Sequence, residues 1–176
     1  EQDRECTQPG QVGELVYRGP NVFAGYYRRP DLAPNSFTPD GFFRTGDFFI
    51  VRDERHIGFF DRKKDIIIRG GFNISAAEVE NLVLTHPGVQ EVAAVAVPDD
   101  IMGEKTCIMV VPKDKARPPT LEDIVAHLKQ IGVATYKLPE RMELLDVIPR
   151  NPVGKILKAQ LRQHLRVPAA SDRPHS

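Results

Sequence analysis

An excess of charge of either sign is missing from this chain of 176 residues: Lys+Arg and Asp+Glu each number 24, so the formal net charge is zero. No global field draws in nucleic acid or an anionic membrane, and only a local patch is left open. Cysteine is scarce. Cys6 and Cys107 lie far apart with no metal spacing, which argues against a disulfide framework and for a reducing cytosol. Apolar runs are short and broken by charge, so no membrane span is expected. Nothing at the N-terminus reads as a signal peptide, and the expected compartment is the cytoplasm. His56, His86, His127, His164 and His175 are scattered, with spacing that suggests neither a metal site nor a Ser-His-Asp set. No bound metal is expected within the chain.

A hydrophobic content of 41% with 27% charged residues fits a soluble globular protein. The length suits one ordinary domain, or a small domain plus part of another, with a sizeable core. The chain opens on Glu1 rather than Met, which reads as a piece cut from something longer. A processed terminus and a tag scar are the alternatives.

Along the chain, residues 13–19 alternate and predict a strand closed by Gly-Pro. Residues 28–46 are rich in turn formers and predict a long loop. Residues 48–51 and 57–60 flank a polar turn and predict a hairpin, with no helix in the first 60 residues. Asp61-Arg62-Lys63-Lys64-Asp65 places five charges in a row, which does not read as core. A domain boundary is placed here; a solvated turn is the plainer reading of the same run. Ile66-Ile67-Ile68 predicts a buried strand stopped by Gly70-Gly71.

The period then changes. Ser75 with Glu78 has capping-box spacing, and Val79, Leu82 and Val83 share one face of a predicted helix over 76–86. Strands are expected over 89–97, 106–111 and 141–148. Leu121, Ile124, Val125 and Leu128 predict a second helix capped by Thr120, and 156–166 a last one. The fold class is therefore α+β. The expected organisation is a β-rich region at 1–60, a linker at 61–65, an α+β domain at 66–166 and a disordered tail at 167–176.

Three polar, glycine-containing stretches could carry chemistry. Arg44-Thr45-Gly46-Asp47 presents a carboxylate at a tight turn, able to accept both hydroxyls of a ribose; an Asx-type turn is the structural alternative. Arg69-Gly70-Gly71-Phe72-Asn73 lets a thin ligand approach the backbone, or is a plain turn. Pro149 to Lys155 is a stiff loop ending in a lysine, which can stabilise an anion developing in acyl or phosphoryl transfer, or is simply solvated.

In order, Gly13-Glu14-Leu15-Val16-Tyr17-Arg18-Gly19, Gly25-Tyr26-Tyr27, Asp40 to Asp47, Asp61 to Asp65, Gly70 to Ile74, Glu78-Val79-Glu80 and Gly154-Lys155 resemble the C-terminal third of the adenylate-forming superfamily. Acyl-CoA synthetases, peptide-synthetase adenylation domains and luciferases belong to it. The resemblance runs from about residue 12 to 166. It implies the β-rich end of a large N-terminal domain followed by a small, mobile α+β C-terminal domain.

It also implies roles. Asp47 matches the carboxylate that holds the ATP ribose, and Arg62 an arginine near it. Lys64 matches the hinge. Gly71, with Gly70, Phe72 and Asn73, matches the pantetheine channel. Lys155 matches the lysine that reaches the substrate carboxylate and α-phosphate. Departures are Lys at the hinge where many relatives carry Asp, Asp61 where Gly is frequent, and Asn151 where Thr is common. The phosphate-binding loop and the acid pocket are absent, and in the family both lie upstream. ATP with Mg2+, CoA and a small carboxylic acid are the implied ligands. The implied function is acid activation as acyl-AMP with transfer to CoA, by a chain inactive alone. Alternatives are an aryl-acid ligase loading a carrier-protein thiol and a non-catalytic interaction module. A nucleic-acid site on the Arg62 to Arg69 cluster is disfavoured by zero net charge and absent aromatic interleaving.

Overall fold

The computed structural model describes residues 5–166. The chain divides into two compact units, Glu1–Lys64 and Asp65–Ser176. The tail expected at 167–176 lies outside the described residues.

In the first unit, β1 (Val12–Tyr17) pairs antiparallel with β2 (Phe43–Val51), and β2 with β3 (Ile57–Arg62). Two sequence expectations change here. The loop expected to 46 ends before Phe43, because Tyr17 and Phe43 already pair. The loop also holds a 3-10 turn (Pro30–Leu32) and one turn of helix, α1 (Ala33–Ser36), where no helix was expected. Phe23, Phe37 and Phe43 meet edge-on or tilted at 5.0–6.0 Å between ring centroids, an aromatic cluster that pins the loop to the sheet.

A third correction concerns the charge run. Asp61 is 5% exposed and stands opposite Phe48 in the sheet, so β3 carries the first two charges of the run. Its Oδ1 accepts the Arg62 N–H at 2.7 Å. Lys63–Asp65 form the 3-10 turn that follows.

The second unit begins with β4 (Ile66–Arg69) and β5 (Phe72–Ser75), then α2 (Ala76–Val83), β6 (Val89–Asp99), β7 (Gly103–Pro112), α3 (Leu121–Gln130), β8 (Arg141–Leu144) and α4 (Lys158–Arg166). The sheet order is β5-β4-β7-β6, and β8 lies parallel to β7. Successive residues of β7 feed opposite cores. Ile108 and Val110 join Val79, Val83, Ile124 and Leu128 on the α2/α3 side. Cys107, Met109 and Val111 join Ile148 and Leu161 on the α4 side. A strand covered on both faces reads as a continuous apolar run. The α+β class read from the sequence holds.

Boundaries differ. The helix expected over 76–86 stops at Val83, and the last helix starts at Lys158 rather than 156. β8 ends at Leu144 rather than 148. β5 was not read as a strand at all, because Phe72 and Asn73 follow the glycine pair directly. The Ser75 cap forms as expected: its Oγ accepts the Glu78 N–H at 3.1 Å.

Candidate functional site

The Arg44 to Asp47 stretch is a bulge within β2, not a loop. Glu14 pairs with Phe48 and Val16 with Arg44, so Thr45, Gly46 and Asp47 stand opposite Leu15 alone. Three residues against one require a sharp departure from the pleat. Gly46 supplies it, with φ of +71°. Thr45 Oγ1 donates to the Leu15 carbonyl at 2.7 Å and accepts the Asp47 N–H at 3.1 Å.

Asp47 thereby stands across from Arg62, its register partner on β3, with Arg62 Nε 3.2 Å from Asp47 Oδ1. Thr45, Gly46, Asp47, Arg62, Lys63 and Lys64 line a shallow recess. A carboxylate beside three cations at a recess fits a nucleotide: the carboxylate can accept a sugar diol, and the cations suit phosphate oxygens. The structure sets Asp47 beside Arg62, the two residues read from the sequence as nucleotide ligands, and places Lys64, read there as the hinge, on the same recess.

Gly70 and Gly71 form the two-residue turn between β4 and β5, with φ of +54° and +84°. Positive φ at both positions is the primed hairpin geometry, which matches strand twist. The Gly70 N–H donates to the Met102 carbonyl at 2.8 Å, and a Cβ there would meet the Met102 methyl. Around Gly71 a Cβ would meet nothing within 4 Å, so its backbone is open to approach. Beside it the exposed Phe72 stacks on Tyr136 at 4.6 Å and 19°, and Asn73 pairs with Ile68 in the sheet. Arg69 sends a fork to Glu140, at 2.8 and 2.9 Å. An open glycine backbone flanked by stacked rings suits a thin, linear ligand.

Lys155 closes a tight turn. Gly154 N–H donates to the Asn151 carbonyl, and Asn151 N–H to the Lys155 carbonyl, each at 2.9 Å. The Asn151 side chain accepts the Lys155 N–H at 2.8 Å and the Val153 N–H at 3.2 Å. Arg150 anchors the base through Glu91 at 2.7 Å. The Lys155 ammonium is exposed and has no hydrogen-bond or ionic partner among the described residues. The Gly70-Gly71 turn and the Lys155 loop belong to the same compact unit, on separate loops.

Sequence reasoning missed Glu14, whose carboxylate gathers Arg44, Lys63 and the Gly46 N–H. It was quoted only as part of a strand motif, and its partners are 30 to 49 residues away in sequence. Asn151 was noted as a departure, with no hint that it shapes the lysine's turn.

Residues 78–155 match the family model of the AMP-binding enzyme C-terminal domain, a match that ends on Lys155. The 2,3-dihydroxybenzoate-AMP ligase of Bacillus subtilis is 41% identical over 161 residues, 92% of this chain and 29% of that protein. The long-chain-fatty-acid–CoA ligase of Escherichia coli O157:H7 is 43% identical over 164 residues, 93% of this chain and 28% of that protein. The crystal structure of ATP-bound MatB from Rhodopseudomonas palustris superposes with a TM-score of 0.76 at 34% identity, covering 90% of this chain and 31% of that one. Residues 78–155 thus match the AMP-binding enzyme C-terminal domain, and the proteins to which the chain is similar are adenylate-forming ligases. The chain spans less than a third of the length of these relatives. Among the described residues, no helix is long and apolar enough to cross a membrane.

Proposed function

We propose that this chain is the C-terminal part of an ATP-dependent acid–thiol ligase, which activates a carboxylic acid as acyl-AMP and passes the acyl group to CoA. The observation that carries the reading is the Lys155 turn: an unpartnered ammonium on a stiff loop, at the end of the matched family domain. Attack of a carboxylate on the α-phosphate brings two anions together, and a lysine held at that point offsets the repulsion in the transition state. Asp47 would accept the ribose hydroxyls, with Arg62 beside it. Gly71, with Gly70, Phe72 and Asn73, would pass the pantetheine thiol. Lys64 would be the hinge about which the mobile domain, residues 66–166, turns between the two steps. The acid pocket and the phosphate loop would lie outside this chain, which would be inactive alone. Mg2+, when bound with ATP, neutralises phosphate charge.

The similarity to a 2,3-dihydroxybenzoate-AMP ligase, nearly equal to that of a fatty-acid–CoA ligase, supports a second reading: an aryl-acid ligase that loads a carrier-protein pantetheine. The acyl-adenylate step is common to both.

The test follows pyrophosphate release by the full-length protein with ATP, Mg2+ and a panel of carboxylic acids. Lys155→Ala is expected to lower release about 100-fold or more with the acid that drives it. Adding CoA or a pantetheinylated carrier then separates the two acceptors. Wild-type release by the lysine variant would remove the adenylating role.

A further inference from the structure

We propose that Glu14 is a positioning residue for the nucleotide: by holding the bulge of β2 it aims the Asp47 carboxylate at the ribose. This rests on the reading of Asp47 as the ribose ligand.

Glu14 does not line the recess. Its side chain is 11% exposed and lies one strand behind, on β1. Its Oε1 accepts the Gly46 N–H at 3.2 Å, the amide immediately before Asp47. Its Oε2 accepts from Arg44 Nη1 at 3.2 Å and from Lys63 Nζ at 2.9 Å. One carboxylate therefore ties the glycine at the bulge's apex, the residue that enters the bulge and the residue that follows Arg62.

On its β1 side, the bulge of three residues opposite one interrupts the ladder, so side-chain bonds help to fix it there. Two are present. Thr45 holds the Asp47 N–H from one side, and Glu14 holds the Gly46 N–H from the other. Burial opposes ionisation of Glu14, but the bond and charge of Lys63, the Gly46 N–H and Arg44 outweigh it and hold the carboxyl below its usual range. The group thus stays ionised where it is needed as an acceptor. An amide at this position keeps one acceptor oxygen but brings two donors against two cations and an N–H, so the set cannot all be satisfied.

A residue that merely supports the fold would weaken every nucleotide equally. One that aims Asp47 would act on the ribose hydroxyls alone. The experiment measures kcat/KM for pyrophosphate release by the full-length protein with ATP, 2′-deoxy-ATP and 3′-deoxy-ATP. Sites built to bond a hydroxyl reject analogues that lack it. Wild type is therefore expected to favour ATP, and Asp47→Asn to lose most of that preference. Glu14→Gln is expected to reduce the preference by about 5-fold or more, while kcat/KM for the deoxy analogues stays within about 3-fold. A folded Glu14→Gln protein with wild-type preference overturns the proposal while leaving Asp47 in place. No preference in wild type, or none lost in Asp47→Asn, overturns the ribose reading itself and the proposal with it. Should Glu14→Gln fail to fold, Arg44→Gln serves, since Arg44 bonds Glu14 without lining the recess. It is expected to cut the preference by about 2-fold or more, and an unchanged preference overturns the proposal.

Discussion

Asn151 shows how a single side chain sets the aim of another. Its amide oxygen takes the N–H groups of Val153 and Lys155, so the backbone beneath the lysine is fixed although the ammonium is exposed. Gly154 completes the turn with φ of +83°. Replacing Asn151 by Ala removes both bonds, and the two donors, on the exposed residues Val153 and Lys155, regain water. The expected loss of stability is therefore about 0.5–1.5 kcal/mol by urea unfolding. The lysine's placement depends on the same bonds, so under the proposed mechanism adenylation should fall further, about 10-fold in pyrophosphate release. Asn151→Thr keeps one acceptor and should recover part of that. An adenylation rate unchanged in Asn151→Ala would show that the turn's other two bonds, from Gly154 and Asn151 main chain, suffice.

Among the elements, β6 lies at an edge of its sheet, and its exposed amides need partners. Glu80 of α2 meets one: its Oε1 accepts the Ala94 N–H at 2.8 Å and also pairs with Lys158 Nζ of α4 at 2.8 Å. One carboxylate so links α2, the edge strand and α4, with both charged side chains less than one-fifth exposed. Glu80→Ala leaves an amide and an ammonium without it, and the expected cost is about 2–3 kcal/mol in chemical denaturation. Glu80→Gln keeps the acceptor and should cost less than half as much. At this scale the sequence was legible where burial is periodic. Val79, Leu82 and Val83 marked α2, and residues 106–111 read as a strand within what is β7. It was not legible where one long-range partner decides. Asp61 belongs to β3 because Phe48 faces it across the sheet. Arg44 to Asp47 is a strand bulge because Glu14, about thirty residues earlier, holds it. β8 meets β7 in parallel over Cys107 to Val110, well away from the β4 pairing at Gly103. The candidate residues themselves came from motif order, which records spacing but not contacts, so Glu14 went unremarked while Asp47 and Arg62 were found.

At the scale of the whole molecule, the proposed function asks one domain to serve two chemical steps. Lys155 and the Gly70-Gly71 turn belong to the same compact unit, on separate loops. A rigid unit cannot hold both against one acyl-adenylate at one time. Under the proposed function the unit must therefore reorient, and backbone torsion near the boundary between Lys64 and Asp65 is the economical place for it. Proline at 64 locks φ near about −65° and removes an N–H, so it permits one pose at most. Lys64→Pro in the full-length protein is thus expected to separate the half-reactions. One of them, acid-dependent pyrophosphate release or single-turnover thioester formation from preformed acyl-AMP, should fall about 100-fold. The other should stay within about 3-fold of wild type. Lys64→Ala, which leaves φ free, should leave both near wild type. Equal loss of both half-reactions in the proline variant, with Lys64→Ala unaffected, would mean that residue 64 supports the fold and that the two loops reach the adenylate by some route other than rotation at this residue.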